Sequence, residues 1–239
     1  MSALLLFAPA RWLTSFIERA TDGHVQLAEA RGTVWGGSAH LLLTGGAGST
    51  DAIALPSRLD WRLRLAPTGM VVRVETTCCT SGPVLLRIRP QWGGAKIEAA
   101  DARTQWPAAL LAGLGTPWNT LQLEGDLVLD TRDLSVEWVK GRLSIAGRAE
   151  LTAQRMSSRL STLRPMGSYR MTLLGGGTPS LTLDTIEGSL NLSGQGQWVG
   201  SRLRFSGTAT AAPEREDALA NLLNIIGQRT GARSIITIG

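Results

Sequence analysis

The chain has few of the residue types on which enzymes and metalloproteins depend. Its 239 residues include only two histidines and two cysteines. The cysteines, Cys78 and Cys79, are adjacent and therefore lack the spacing of metal ligands. The sequence also has no Gly-x-Ser-x-Gly nucleophile elbow and no glycine-rich phosphate loop ending in Lys-Ser or Lys-Thr. We therefore expect no catalytic, cofactor-binding or metal-binding residues, and a protein that is not an enzyme.

A long apolar segment is also missing from the sequence. The run from Ala3 to Ala10 ends at Arg11, whereas a membrane-spanning helix needs about 20 apolar residues. No basic region precedes the run and no convincing cleavage site follows it, so it does not resemble a signal peptide. Arg11 and Trp12 are typical of a membrane interface. We interpret residues 1–20 as the remnant of an N-terminal membrane anchor or as an amphipathic helix.

Phenylalanine and tyrosine are scarce, which argues against nucleic-acid binding although the net charge is +5. Most aromatic residues are tryptophans, and Trp61 shares the apolar face of a predicted strand over 58–65. The arginines of that strand, such as Arg62 and Arg64, lie on the opposite, solvated face. Stacking with bases requires aromatic rings on the exposed face. We therefore expect no nucleic-acid partner.

What the sequence does contain is a recurring strand pattern. Apolar and polar residues alternate strictly after Gly32, Gly125, Gly141 and Gly188. Such alternation predicts strands that bury one face and expose the other. The glycines stand where strands begin or bend, which favours an antiparallel meander over a parallel sheet. The predicted fold class is all-β and mainly antiparallel, either one curved sheet or a two-sheet sandwich.

The strand patterns form two similar β units. We predict a short N-terminal helix over 10–20, a first β unit over 24–101, a helical linker over 102–118 and a second β unit over 119–239. Pro107 of the linker suits the first turn of a helix. Strands are predicted near 120–130, 133–145 and 147–155, and 194–200 is interpreted as a hairpin turn. The C-terminal helix, 213–227, carries an apolar stripe that we expect to pack on the sheet: Leu219, Leu222, Leu223 and Ile226.

The adjacent cysteines Cys78 and Cys79 allow three states. In an oxidising compartment the two thiols form a vicinal disulfide or pair between chains. In the third state they are two reduced thiols at the end of a hairpin, with side chains that face in and out. The sequence leaves all three open.

Several phrases, in order along the chain, resemble one known family. The segment from Ala30 to Ala39 is similar to the signature A-x-G-T-x-W-x-G-x-A of type II secretion system protein N, also called general secretion pathway protein N. The similarity continues to the end of the chain, and the doublet Cys78–Cys79 is similar to one seen in some members. The residues that carry the family pattern are expected to have structural roles: Gly32, Thr33, Trp35, Gly37, Pro56, Trp61, Gly125, Gly167, Tyr169 and Gly207.

The resemblance implies a non-enzymatic accessory component of the type II secretion system of Gram-negative bacteria. Members usually have a periplasmic β domain held at the inner membrane by one N-terminal helix, to whose end Leu4 to Ala10 would correspond. The implied role is support of the export of folded proteins across the outer membrane, with other subunits of the system as partners and no cofactor. We expect contact with partners through exposed strand edges, which can extend a partner's sheet.

A second interpretation is a periplasmic lipid-binding or lipid-transfer protein. A curved antiparallel sheet with an apolar concave face forms a groove that suits lipid, which is then the alternative partner. The two interpretations differ in the expected surroundings of Trp35, Trp61 and Trp138. Packed rings favour an ordinary core, and rings that line an open trough favour lipid binding.

Overall fold

Fifteen strands and four short helices make up the chain in a computed structural model that describes residues 8–200 and 202–239. Most of the run from Leu4 to Ala10, interpreted above as a membrane-anchor remnant, therefore lies outside the described residues. The helices are α1 (Ala10–Ala20), a 3₁₀ helix (Ala108–Leu114), α2 (Trp118–Leu121) and α3 (Glu216–Ile226). The strands are β1 (Val25–Gly32), β2 (Gly36–Thr44), β3 (Ala52–Ala66), β4 (Gly69–Thr76), β5 (Val84–Gln91), β6 (Gly94–Ala99), β7 (Ala102–Pro107), β8 (Leu123–Val139), β9 (Arg142–Ser158), β10 (Gly167–Leu174), β11 (Ser180–Gly188), β12 (Leu190–Val199), β13 (Arg202–Ala211), β14 (Gln228–Thr230) and β15 (Arg233–Ile238).

All of these strands belong to one antiparallel sheet. Consecutive strands are neighbours from β1 to β6 and from β8 to β13, and β15 and β14 complete the far edge. β6 and β7 lie end to end along the same side of β8, where β6 pairs with 135–139 and β7 with 126–131. The predicted all-β, mainly antiparallel fold is confirmed, and of its two alternatives the structure has the single curved sheet. The two-sheet sandwich does not form, because β6 of the first unit pairs directly with β8 of the second.

The helical linker predicted over 102–118 is wrong in its first third. Ala102–Pro107 is strand β7, and only the segments after it are helical. β7 is held by backbone pairing with β8 and by the buried side chain of Thr104, whose Oγ1 accepts a hydrogen bond from Nε1 of Trp106 at 2.8 Å. This segment lacks a strict alternation of its own, so pairing with a strand more distant in sequence decides its conformation.

The strand boundaries predicted near 131 and 146 are also wrong. β8 and β9 each have 17 residues and meet at a turn over 140–141. The expected break in β8 is a bulge, where the register shifts between Arg132 and Ser135 and Asp133 has a φ of 48°. The backbone N–H of Asp133 donates to Oδ1 of Asp101 at 2.7 Å. A bulge inserts a residue without ending the pairing on either side, so the strand continues through it.

One face of the sheet is apolar across nearly its whole width. Residues directly opposite one another on neighbouring antiparallel strands share a face. In the first half, one such row runs from β3 to β9: Leu65, Met70, Ile88, Ile97, Val136 and Ile145. In the second half, another runs from β8 to β15: Leu129, Leu151, Met171, Leu183, Gly194, Gly207 and Ile236.

Helices cover parts of this apolar face. α1 packs on the first three strands, where Leu13 lies in one cluster with Trp61. The 3₁₀ helix places Leu110 against Leu55 of β3. α3 packs on the second half through the predicted stripe, of which these members are fully buried: Leu219, Leu222 and Leu223. The helix begins at Glu216 rather than at 213, where the sequence had placed its start.

Candidate functional site

The first residues of the family pattern, from Gly32 to Gly37, lie together with Trp61 at the turn between β1 and β2. Trp61 packs under this turn with 3% of its surface exposed. Its Nε1 donates hydrogen bonds to the carbonyl oxygens of Thr33 and Val34 at 3.2 and 3.1 Å. Gly37 makes room for the ring, because a Cβ there would lie 2.6 Å from Cζ2 of Trp61. Gly32 has a φ of 92°, which favours glycine. These residues therefore fix a turn.

The remaining pattern residues are scattered over the sheet. Pro56 lies in β3, Gly125 stands at a register shift of β8, and Gly207 lies in β13. Gly167 and Tyr169 are neighbours on β10, where a Cβ on Gly167 would lie 2.7 Å from the hydroxyl oxygen of Tyr169. The structure does not bring these five residues together in one site.

Tyr169 is a buried polar residue in the core beneath α3. Its hydroxyl oxygen is buried and has no hydrogen-bond partner among residues 8–200 and 202–239. Burial raises the pKa of this hydroxyl above its ordinary value. The surrounding cluster is apolar and includes Leu190 and Leu222. The Tyr169 hydroxyl is thus enclosed by apolar side chains of the described residues.

The adjacent cysteines form a vicinal disulfide in the turn between β4 and β5. Of the three states that the sequence left open, this is the one in the structure, and the sulfurs are not two reduced thiols. Cys79 is buried in the cluster with Leu55 and Leu110, and Cys78 is exposed. The carbonyl oxygen of Cys79 accepts a hydrogen bond from the backbone N–H of Gln105 at 2.8 Å. The turn is thereby attached to the start of the second half of the sheet.

The three tryptophans that separate the two interpretations have different surroundings. Trp61 is packed, and Trp35 is half-buried in the same turn. Trp138 of β8 is 47% exposed on the apolar face, where it stands opposite Ala95 of β6 and Leu143 of β9. Ile97, one strand away, is also exposed. The apolar face therefore forms an ordinary core where α1 and α3 cover it, and it is exposed to solvent between these two helices.

The two edges of the sheet differ in how well they are protected. β1 carries Glu29 and Arg31 and has a register shift between Ala28 and Arg31, and both features discourage pairing with another chain. At the other edge, β14 pairs with β15 only at 233–235. The last residues of β15 are uncharged, and Ile238 is 54% exposed. A shallow groove between β11 and β15 lies beside this free end.

The charged groups of the described residues form small ion pairs rather than a reactive cluster. Asp126 accepts hydrogen bonds from Nε2 of Gln105 at 3.1 Å and from Nη2 of Arg155 at 2.9 Å. These two hydrogen bonds, the first foremost, hold the pKa of the Asp126 carboxyl below its usual value. The three residues tie β7, β8 and β9 together. No group of three or more His, Cys, Asp or Glu side chains in the described chain is placed to hold a metal ion.

The sequence did not single out the most exposed large hydrophobic side chain among the described residues. Trp92, at the turn between β5 and β6, is 92% exposed. Leu65, at the next turn along the same end of the sheet, is exposed as well. The turn signal Trp92-Gly93-Gly94 predicts the hairpin, but it does not show whether the ring folds back onto the sheet.

Comparisons with known proteins identify the chain by its family. Residues 23–236 match the model of the family described as Type II secretion system (T2SS), protein N. The match begins just before β1 and ends within β15, so it spans nearly the whole sheet. Searches of curated proteins and of solved structures found no match. Within the described residues, none of the helices is both long and apolar enough to cross a membrane.

Proposed function

This chain belongs to the type II secretion system protein N family, and we propose that it is a non-enzymatic accessory component that supports the export of folded proteins across the outer membrane. In this proposal the β domain lies in the periplasm, is held at the inner membrane by a single N-terminal helix, and binds other subunits of the system. The observation that carries the proposal is the family match over 23–236.

The free end of β15 is the surface that we propose for a partner subunit. An edge strand presents unpaired backbone N–H and C=O groups, and a partner's strand can pair with them. β15 has this property beyond 236, because β14 pairs only at 233–235 and Gly227 lies against Ile235 and Ile236. The strand has no lysine, proline or bulge to prevent pairing. The residues from Ile235 to Ile238 favour β structure because three of the four are β-branched isoleucines.

The experiment is a gene deletion in the host, complemented with wild-type protein and two variants. Exoproteins are located by fractionation, and outer-membrane permeability is measured in parallel. Ile238→Lys puts a charge at the free edge, and Ile186→Lys puts the same charge at another exposed isoleucine, on the interior strand β11. We expect the deletion to trap exoproteins in the periplasm with an intact barrier. Ile186→Lys should restore secretion, and Ile238→Lys should not, although both accumulate as folded protein.

Two results would contradict different parts of the proposal. Normal secretion in the deletion strain, with a leaky outer membrane, would refute the secretion role. If the deletion traps exoproteins and Ile238→Lys restores secretion as well as wild type does, the secretion role stands and pairing at β15 is refuted.

The open part of the apolar face supports a second candidate function, lipid binding in the envelope. Ile97 and Trp138 are exposed there although they lie on the same face of the sheet that α1 and α3 cover elsewhere. Exposed apolar surface of this kind marks a binding site more often than an ordinary surface. Acyl chains of a lipid would cover it.

Lipid extraction from purified protein tests the second candidate. Ile97→Asn changes the open apolar face, and Leu85→Asn makes a matched change on the opposite face, where Leu85 stands beside Arg73. We expect lipid to be extracted from the purified wild type and from Leu85→Asn, and a much smaller amount to be extracted from Ile97→Asn. Absence of lipid from wild-type protein purified in a mild detergent, or equal amounts in the two variants, would refute this function.

A further inference from the structure

Every second turn of the antiparallel meander lies at the same end of the sheet. We call this end the tip end; it has the turns over 66–69, 91–94, 139–142 and 174–180, and β12 connects to β13 at the same end. None of the four turns contains an aspartate or glutamate. The opposite end has acidic residues in its loops and at the start of α3: Asp51, Glu214, Glu216 and Asp217. The loops at the two ends of the sheet therefore differ in their acidic residues.

The tip end also carries the two most exposed large apolar side chains of the described residues. Trp92 lies in the turn over 91–94, and Leu65 directly precedes the turn over 66–69. Tryptophan is normally well buried in a soluble protein, so a ring with 92% exposure on a hairpin turn has no role in the packing of this chain. A ring with an apolar body and a polar N–H suits the interface between water and a lipid bilayer.

Three basic residues without an ion pair lie at the tip end. Lys140 lies beside the Trp92 turn, since its backbone N–H donates to the carbonyl oxygen of Gly93 at 3.1 Å. Arg64 and Arg142 stand at the ends of β3 and β9 next to their turns. In the part of the chain that the structure describes, none of these three cations forms an ion pair with a carboxylate. They remain available for an external anion.

The N-terminal segment approaches the sheet at the same end. The carbonyl oxygen of Ala8 accepts a hydrogen bond from the backbone N–H of Val34 in the turn between β1 and β2 at 2.9 Å. That turn precedes Gly36, which pairs with Arg62 close to the tip end of β3. α1 begins there, and its first turn exposes Trp12. A second aromatic ring with a neighbouring arginine thus lies toward the tip end.

We propose that the tip end docks directly on the surface of an anionic phospholipid bilayer. Trp92 and Leu65 enter the interfacial layer, and Arg64, Lys140 and Arg142 contact lipid phosphates. The strands then stand upright on the membrane, and the apolar face remains accessible from the side. The last residues of β15, where Ile238 pairs with Phe205, lie near the membrane with their free edge directed sideways. This docking uses residues that neither pairing at β15 nor the open apolar face requires, so it stands or falls independently of both functions proposed above.

Vesicle binding by the full chain tests the docking. Vesicles of phosphatidylcholine, with and without phosphatidylglycerol, are compared by flotation at low and high salt. The tip variant combines Arg64→Gln, Lys140→Gln and Arg142→Gln. The control variant makes the same charge change at the opposite end: Arg159→Gln, Arg215→Gln and Arg233→Gln. All variants keep the same N-terminal residues, so any binding through that segment is common to them.

We expect wild-type protein to bind phosphatidylglycerol vesicles in a salt-sensitive way. Each basic residue near an anionic surface strengthens binding about fivefold, so the tip variant should bind on the order of 100-fold more weakly and the control variant less than about fivefold more weakly. Circular dichroism and thermal melting establish that both variants are folded. Equal binding of tip and control variants, or equal binding of wild type to the two kinds of vesicle, would refute the docking.

The position of Trp92 is tested by fluorescence quenching with brominated lipids. Trp92→Ser should remove most of the quenching that depends on phosphatidylglycerol. Trp118→Ser, at the opposite end of the sheet, should leave it unchanged. If Trp92→Ser is quenched as strongly as wild type, Trp92 does not enter the interface and the proposed orientation is wrong.

Discussion

The buried hydroxyl of Tyr169 leads to a prediction about stability at high pH. Tyr169 is the only tyrosine in the chain, so tyrosinate absorbance reports on this residue alone. Burial raises the pKa of Tyr169 in the folded protein, whereas the hydroxyl of an unfolded chain ionises near pH 10, at about its unperturbed pKa. Above that pH the folded protein keeps a proton that the unfolded chain has released. The free energy of unfolding must therefore fall as the pH rises.

The size of the effect follows from the linkage between protonation and folding. Each pH unit above about 10 lowers the free energy of unfolding by about 1.4 kcal/mol while the folded hydroxyl stays protonated. Tyr169→Phe removes this titration and flattens the dependence. The variant also deletes a buried hydroxyl with no partner among the described residues and keeps the ring that covers Gly167. At neutral pH we expect it to be more stable by about 1 kcal/mol.

A rapid jump from neutral to alkaline pH is the decisive assay. Tyrosinate absorbance should rise only as fast as the protein unfolds, as followed by circular dichroism. Urea titrations at several pH values then give the free energy of unfolding of wild type and Tyr169→Phe. Immediate ionisation of native protein, or identical alkaline slopes for the two proteins, would refute the argument that Tyr169 is enclosed by the core.

Three further substitutions test the packing of the sheet. Gly37→Ala should destabilise the protein clearly more than Gly36→Ala in urea denaturation, because a Cβ at position 37 meets the ring of Trp61 at 2.6 Å whereas one at position 36 comes no closer than 3.8 Å to its carbonyl oxygen. Leu222→Ala should lower the free energy of unfolding by about 2–5 kcal/mol, since it leaves a cavity under α3. Asp126→Asn should flatten the loss of stability below about pH 4, because a carboxyl with a lowered pKa stabilises the fold above its unfolded pKa and loses that contribution as the pH falls.

Strand identity could be predicted from the sequence wherever alternation was strict. β3 shows this clearly, since Leu59, Trp61 and Leu63 face the apolar side and the charged residues between them face water. The predicted strand boundaries were wrong where a local turn signal competed with pairing between strands. The polar stretch around Asp133 has the composition of a turn, but it forms a bulge because β9 continues to pair on both sides of it.

The glycines over 194–200 show why a turn signal can mislead. The glycine pattern predicts that Gly194 and Gly196 belong to a hairpin turn, yet both lie inside β12. They face the ring of Phe205 on the neighbouring strand, and a Cβ on Gly196 would lie 3.1 Å from the Cβ of Phe205. Glycine is required here by the close approach of an aromatic ring. That requirement depends on the strand register, which local composition does not reveal.

The candidate surfaces were only partly predictable for a similar reason. Trp61 and Trp138 occupy equivalent positions in alternating segments, so the sequence treats them alike. In the structure one is covered by the turn between β1 and β2, and the other lies in the gap between α1 and α3. Burial of an apolar strand face depends on where distant helices dock. The alternation therefore predicts which face is apolar but not which part of that face stays open.

The proposed surfaces use different residues of the single sheet. The free edge of β15 faces sideways, although its last residues lie toward the tip end, where Ile238 pairs with Phe205 near the start of β13. The open apolar face is perpendicular to the sheet. A partner strand that approaches β15 from the side could still pair with a domain docked by its tip end. Ile238→Lys should therefore bind phosphatidylglycerol vesicles at least as strongly as wild type, because the added lysine lies toward the tip end, while it fails to restore secretion. The tip variant should pair normally with a partner subunit in detergent-free solution. If either variant lost both properties while folded, the two surfaces would be coupled, and the argument from their separation in the sheet would fail.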